Sequence, residues 1–192
     1  MLKEGPKLLH WNYFLALESD LERLSRYVEF TKDNYKTYSL EMAHLLLAAS
    51  SEVDVVLKGL CNRVDSKKKP DNIDGYREIL RPKFPRLCEM QIRIPRFALD
   101  VIPWENWQSD KNPNWWRAYN KVKHDRAEFF KLANLQNTVA AIAGLFVATM
   151  YLYKEEAENG SLVPLPNLLT LPKDCTRALK QTDFGITLVY RL

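Results

Sequence analysis

The sequence predicts an all-α fold, an antiparallel up-and-down helical bundle within a single domain covering residues 1–192. Two segments near the N-terminus repeat apolar residues at alternating three- and four-residue steps, which places those side chains on one face of a helix. A third segment in the second half of the chain is long, apolar and uncharged. At 192 residues, the chain is long enough to bury a core without disulfides or a structural metal.

The first two predicted helices share this spacing. The first runs from about Trp11 to Phe30, with Glu18, Glu22 and Arg26 off the apolar face. Its apolar positions are Phe14, Leu17, Leu21, Leu24 and Val28. The second begins after Ser39, a residue type that caps helix N-termini. Its core positions are Ala43, Leu46, Ser50, Val53, Leu57 and Leu60. Because the connection between the two helices is short, we expect them to pack antiparallel.

Residues 63–112 form a partly irregular insertion. It contains a polar break, "DSKKKPDN", a short predicted helix over "IDGYREIL", and alternating apolar residues around Pro95 that predict one or two short edge strands. From residue 63 to residue 100, ten Lys or Arg face six Asp or Glu, a surplus of +4 that equals the net charge of the chain. This surplus fits a surface that tracks phosphates and a solvated loop equally well.

A third major helix is predicted from "NPNWW" to about Asp125, with Asn112 as its cap and Pro113 in its first turn. A fourth, predicted as the longest, covers about residues 132–156. Its uncharged run at 139–153 is shorter than the about 20 residues that cross a bilayer. The small residues Ala140, Gly144 and Ala148 would let another helix approach closely, as in a buried helix or a subunit interface. The C-terminal tail ends in "FGITLVYRL", which could form a closing strand.

The third helix places polar side chains opposite its core face. At 100° per residue, Arg117, Asn120, Lys121 and His124 cluster on the side opposite Trp115, Tyr119 and Val122. The polar face of a helix can simply meet water. This one lacks the glutamates that usually pair with such lysines, and it carries groups that bind or protonate phosphate esters.

The stretch "WWRAYNKVKHDR", with two amphipathic helices before it and an apolar helix after it, resembles the HEPN superfamily (higher eukaryotes and prokaryotes nucleotide-binding domain). The resemblance rests on six residues between Arg117 and His124, within the family's arginine-to-histidine spacing. It implies a metal-independent endoribonuclease of toxin or phage-defence type, which cleaves RNA by attack of the 2′-hydroxyl. His124 would then be the acid or base, Arg117 would hold the phosphate, and Asn120 would orient either group.

The resemblance also implies secondary positions and partners. Lys121 and Lys123 are backbone-binding candidates, and Glu52 of the second helix is a possible supporting residue near the arginine. A homodimer packed partly through the third and fourth helices is expected, with Trp115 and Trp116 either shared between core and interface or both in the core. RNA or a nucleotide, and an antitoxin or another protein, are the expected partners, with no membrane and no cofactor.

Two alternatives remain open at this stage. The family's active nucleases usually carry a polar residue directly after the arginine, where this chain has Ala118, so a catalytically inactive module that binds RNA, nucleotide or protein is also consistent. Alternatively the likeness is accidental, and the aromatic-rich "IPWENWQSDKNPNWW" lines a pocket or partner site. The chain has no GxSxG, HExxH or Gly-rich phosphate loop. Three scattered cysteines and the lack of a signal-peptide pattern predict a cytoplasmic protein without zinc.

Overall fold

The computed structural model describes residues 7–182 and 185–192, and it is mainly α-helical with two small antiparallel sheets. The helices are α1 (Leu9–Leu24), α2 (Leu40–Val64), α3 (Ile73–Lys83), α4 (Asn114–His124), α5 (Arg126–Phe129), α6 (Leu135–Leu152) and α7 (Lys154–Asn159). The strands are β1 (Ile92–Ile94), β2 (Leu99–Val101), β3 (Thr176–Thr182) and β4 (Gly185–Tyr190). The prediction of a mainly α fold is therefore confirmed.

The first helix is shorter than predicted. It ends at Leu24, where the backbone N–H groups of Tyr27 and Val28 both donate to the Leu24 carbonyl and the chain turns away. The predicted apolar positions up to Leu24 are buried, but Glu18, predicted to lie off the apolar face, is buried as well. Its burial is explained by the contacts of the C-terminal segment, described below.

Helix α2 begins as predicted and forms the longest element. The Ser39 hydroxyl accepts the backbone N–H of Met42 at 3.1 Å, which caps the first turn. All of its predicted core positions are buried. The helix has 25 residues against 18 in α6, so the prediction that the fourth major helix is the longest is wrong. That helix ends early because the backbone leaves helical geometry at Tyr153, after which α7 begins.

The directions of α1, α2 and α6 follow from contacts near both ends of each pair. Helices α2 and α6 run in the same direction, because the Thr138 hydroxyl donates to the Met42 carbonyl at 3.1 Å near the beginning of both, and the Arg63 guanidinium donates to the Leu152 carbonyl at the end of both.

Helix α1 runs opposite to α6, since His10 at its start contacts Tyr153 just after α6, and Phe14 one turn later stacks on Phe146. Helices α1 and α2 are therefore antiparallel, as predicted. Helix α4 packs on both α2 and α6.

The insertion is ordered around a helix and a hairpin. Helix α3 covers the predicted "IDGYREIL", and β1 pairs with β2 in an antiparallel register that sets Ile92 opposite Val101. Ile92 and Ile94 are buried while Arg93 between them is exposed, so the alternation in sequence correctly predicted short strands. On its other side, Arg93 exchanges backbone hydrogen bonds with Thr170 of the C-terminal segment.

The C-terminal segment, from about residue 160 onward, is hydrogen-bonded to α1 through contacts that the sequence did not predict. The carboxylate of Glu18 accepts the backbone N–H groups of Asn167, Leu168 and Leu169 at 3.0, 2.9 and 2.8 Å. The segment then forms β3 and β4, which pair antiparallel. The predicted closing strand is present as β4, although its first predicted residue, Phe184, lies outside the described residues.

One helix of the described chain, α6, is long and apolar enough to cross a membrane. Its 18-residue window is 83% buried inside the fold. Phe146 of α6 stacks on Phe14 of α1 with ring centroids 4.9 Å apart, and Gly144 lies against Trp115 of α4. Helix α6 therefore lies at the centre of the core. Of the two alternatives for its small residues, a buried helix and a subunit interface, this agrees with the first.

Candidate functional site

The candidate site is built on α4, which begins one residue later than predicted. Asn114 is its first residue, Pro113 precedes it, and no side chain caps its N-terminus. Asn112, the predicted cap, instead accepts a hydrogen bond from the guanidinium of Arg77 at 3.0 Å. The predicted end of the helix holds, since α4 stops at His124 and Asp125 caps the short α5 that follows.

Both tryptophans of α4 belong to the core. Trp115 is 2% exposed and Trp116 is 5% exposed. The indole N–H of Trp115 donates to the Pro103 carbonyl at 2.8 Å, and its ring packs edge-on against Trp104 at 5.1 Å between centroids. Of the two alternatives for this pair, the structure agrees with the one in which both tryptophans lie in the core, since neither is exposed for contact with a second subunit.

Because the tryptophan side of α4 is buried, the polar side predicted from the sequence faces outward. Arg117, Lys121 and His124 are exposed and Asn120 is partly buried. An ideal helix places these four side chains within an arc of about 100°, with Arg117 and His124 about 10 Å apart along the axis. The structure therefore brings the three proposed catalytic residues onto one accessible surface of α4.

Three of these side chains are unpaired within the described part of the chain. None of the hydrogen bonds or ion pairs found there involves the side chains of Arg117, Asn120 or His124. Lys121 instead lies over the ring of Phe129, 4.9 Å from its centroid, and contributes a cation–π contact. An unpaired guanidinium and imidazole on one surface are free to bind an anion.

Lys123 lies apart from this cluster. Its ammonium group is 5.5 Å from the centroid of the Tyr119 ring, on the flank of α4 about 120° from Arg117. Lys123 can therefore contribute to the positive potential around the site, but it does not share the surface formed by Arg117 and His124.

Glu52, the proposed supporting residue, pairs with a different partner. Its carboxylate lies 2.6 Å from Nδ1 of His10 in α1, and no hydrogen bond or ion pair in the described chain joins it to Arg117. The backbone N–H of His10 donates to the hydroxyl of Tyr153 at 3.3 Å, and burial raises the pKa of that phenol. The sequence gives no local signal for these contacts of His10, because its partners are 42 and 143 positions away.

Four of the ten basic residues between 63 and 100 form ion pairs. Arg77 pairs with Asp74 at 2.9 Å and lies 3.7 Å from Asp110, which also pairs with Arg81. Arg93 and Arg96 pair with Asp100 and Glu22, at 3.6 and 3.4 Å. The lysines at 67–69 are exposed and form no ion pair in the described residues, so a phosphate-tracking surface and a solvated loop both stay consistent with them.

The cysteines and acidic residues outside α4 form no further reactive centre in the described residues. Cys61, Cys88 and Cys175 are buried free thiols, and burial raises the pKa of each. Low-pKa thiols are the reactive ones, so these three are structural. Across residues 7–182 and 185–192, no three His, Cys, Asp or Glu side chains are grouped closely enough to hold a metal ion.

Comparison with known proteins adds no assignment. No family model, no curated protein and no solved structure matches the chain. The HEPN resemblance of the sequence therefore remains an expectation. What the structure adds is the geometry of α4, in which Arg117, Asn120 and His124 share one exposed surface.

Proposed function

We propose that the chain is a HEPN-like, metal-independent endoribonuclease of toxin or phage-defence type. The observation that supports this most directly is that Arg117 and His124 lie on one accessible surface of α4 and that neither binds a carboxylate in the described residues. A surface helix normally pairs its cations with acidic neighbours three or four residues away. Arg117 has no acidic residue at these positions. Glu128 lies four residues after His124, but it belongs to α5 and forms no ion pair with His124 in the described residues. A guanidinium and an imidazole are the groups that bind and protonate phosphate esters.

The proposed reaction is an internal transfer at phosphorus. The ribose 2′-oxygen forms a bond to the adjacent phosphorus, and the bond from phosphorus to the 5′-oxygen of the next nucleotide breaks. His124 accepts the proton of the 2′-hydroxyl or supplies one to the leaving 5′-oxygen. Arg117 stabilises the negative charge that develops on the phosphoryl oxygens, and Asn120 orients the imidazole or the phosphate.

The proposal includes a homodimer, in which two copies of α4 form one cleft. Within a single chain most of α6 is buried, and only Gln136, Asn137 and Ala140 are accessible on it. A contact through the fourth predicted helix would therefore use its first two turns. A cytoplasmic location and an antitoxin or other protein partner belong to the same proposal.

A second candidate function is supported by Ala118. This residue follows Arg117 directly, and it is 4% exposed because it faces the core. The position that is usually polar in active HEPN nucleases is therefore apolar and buried here. We infer as the alternative a catalytically inactive module that binds RNA, a nucleotide or a protein through the same surface.

The decisive experiment combines solution mass with RNA cleavage in excess EDTA. For the nuclease, we expect cleavage by the unmodified chain, products with cyclic phosphate ends, and a loss of about 100-fold or more in His124→Ala and Arg117→Ala. His44→Ala is the matched control, because His44 is an exposed histidine that pairs with Glu41 on α2. Cleavage that persists in His124→Ala would refute the proposed catalytic role.

The alternative is tested by binding. An inactive RNA-binding module should retain affinity in His124→Ala, lose it in Arg117→Ala, and bind less tightly as salt rises, because neutralised phosphates release counterions. RNA affinity that does not respond to salt would contradict phosphate binding by this surface.

A further inference from the structure

A cavity of about 400 Å³ lies beside the N-terminal end of α4, between the β1–β2 hairpin and the first two turns of α6. Its volume falls within the range of small-molecule sites. The walls come from four parts of the chain: Tyr35, the hairpin with the residues that flank it (91–106), the first two residues of α4, and the first two turns of α6. Part of the aromatic-rich segment therefore does line a pocket, while its Trp104 and Trp107 are buried in the core.

The cavity combines an apolar surface with many carboxamides. Leu99, Pro103, Trp115, Val139 and Ala140 supply apolar walls, and five amide side chains surround them. These amides are Gln91, Asn106, Asn114, Gln136 and Asn137. In the described chain, hydrogen bonds are found for only one of the five side chains, that of Asn137, whose amide donates to the Leu132 carbonyl at 2.9 Å.

The charged groups at the cavity are acidic. Asp100 and Glu105 lie in its lining, which contains no lysine or arginine. Asp100 pairs with Arg93 at 3.6 Å, whereas Glu105 forms no ion pair in the described residues. Such a lining disfavours a phosphate group inside the cavity. Carboxylates and carboxamides instead match the edges of nucleobases, since Asn and Gln pair with adenine and carboxylates accept hydrogen bonds from the amino group of cytosine.

The position of the cavity connects it with the polar surface of α4. Asn114, in the cavity lining, precedes Arg117 by three residues, which is about 60° around the helix and about 4.5 Å along its axis. A nucleotide whose base occupies the cavity can therefore direct its phosphate toward Arg117. Proteins that read RNA often take single-stranded bases out of the stack in this way.

We propose that this cavity binds adenine or cytosine, whose amino groups at C6 and C4 stand where guanine and uracil carry a carbonyl oxygen, either in an RNA strand or in a free nucleotide. This inference deepens the proposed function, because the base pocket would select the nucleotide next to the phosphate held by Arg117. Uracil presents a carbonyl oxygen where cytosine presents an amino group. Uracil would therefore lose a hydrogen bond to Glu105 and bring two acceptors together.

Binding of mononucleotides tests the pocket without catalysis. With purified chain and isothermal titration calorimetry, we expect AMP or CMP to bind about tenfold more tightly than UMP or ribose 5-phosphate. Gln136→Ala, at the accessible rim, should weaken the preferred nucleotide by about fivefold or more. Ala140→Phe should abolish binding by filling the cavity, and Asn12→Ala, an exposed amide on α1, should leave it unchanged.

The result that overturns the proposal is equal binding of ribose 5-phosphate and all nucleotides, or affinity unchanged in both Gln136→Ala and Ala140→Phe. Thermal unfolding of each variant would show whether a loss of binding reflects a loss of fold. The source of the base is identified by comparing AMP or CMP with a hexamer of the preferred nucleotide. An RNA site binds the hexamer more tightly, and Arg117→Ala removes that gain; a nucleotide site binds both equally.

Failure of this proposal is distinguishable from failure of the proposed function. Loss of base selectivity with cleavage that still depends on His124 would remove the pocket and keep the nuclease. Base-selective binding without any cleavage would keep the pocket and favour the inactive binding module.

Discussion

The contact between Glu18 and the C-terminal segment should contribute a large part of the stability of this fold. Glu18 is 2% exposed, and its carboxylate accepts three successive backbone N–H groups at 2.8–3.0 Å. One oxygen accepts from Leu168 and Leu169, and the other accepts from Asn167. The change that tests this role is Glu18→Ala, compared with the isosteric Glu18→Gln.

The expected magnitudes follow from the number of N–H groups left without an acceptor. A buried donor without a partner costs about 1–3 kcal/mol. Glu18→Ala leaves two such buried donors, those of Leu168 and Leu169, while water can reach the N–H of the exposed Asn167. We therefore expect the free energy of unfolding to fall by about 2–6 kcal/mol. Glu18→Gln keeps one oxygen but turns an NH₂ group toward one donor, so we expect a loss of about 1–3 kcal/mol.

Urea unfolding followed by circular dichroism measures both losses. Glu22→Ala is the control, because Glu22 lies one turn away on α1 and forms an exposed pair with Arg96 at 3.4 Å. Exposed pairs contribute about 0–1 kcal/mol, so this variant should unfold nearly as the unmodified chain does. If Glu18→Ala lost no more stability than Glu22→Ala, the C-terminal segment would not depend on this carboxylate.

Three further predictions concern the helices outside the candidate site. Ser39→Ala removes the cap of α2 and should reduce the free energy of unfolding by about 1 kcal/mol in the same urea assay, whereas Ser51→Ala, exposed in the middle of α2, should not. Burial raises the pKa of Cys61 to about 12, so its thiol should resist alkylation at pH 8 in the folded chain and react once the chain is unfolded. Because the thiol ionises at lower pH in the unfolded chain, the stability contributed by this group should fall as pH rises above 9. Alkylation of the folded chain at pH 8 at the rate of a free thiol would contradict this prediction. Glu52→Gln weakens the pair with His10 and should lower stability by about 1 kcal/mol while leaving any RNA cleavage unchanged, and a loss of cleavage would restore Glu52 to the site.

The sequence predicts the helices well where apolar spacing alone decides them. The cap and core face of α2 are correct, and the alternation around Pro95 correctly predicts the β1–β2 hairpin. Both signals are local, since a helix face or a strand face is defined within a few residues. The same reasoning identified the buried and exposed faces of α4, because the tryptophans and the polar residues lie on opposite sides of one short helix.

Partners that are distant in the chain could not be predicted in this way. Glu18 is read as a surface residue because the backbone groups that it accepts lie about 150 positions further on. The pairing of His10 with Glu52 spans α1 and α2, and neither residue has a local signal for it. Any argument from apolar periodicity places a charged residue on the surface. Such arguments therefore miss buried carboxylates that accept hydrogen bonds from distant backbone groups.

The small residues of α6 correctly predicted the close approach of another helix. At Gly144 that helix is α4, whose Trp115 indole fills the space above the glycine: a Cβ on this glycine would lie 2.8 Å from a ring carbon. The absence of that Cβ lets Trp115 reach the Pro103 carbonyl, and this hydrogen bond fixes the rotation of α4 about its axis. Because Arg117 and His124 project from the opposite side of the same helix, their direction depends on this contact. Gly144 in the core therefore influences the candidate site at the surface, because it accommodates Trp115 and the packing of this tryptophan orients α4.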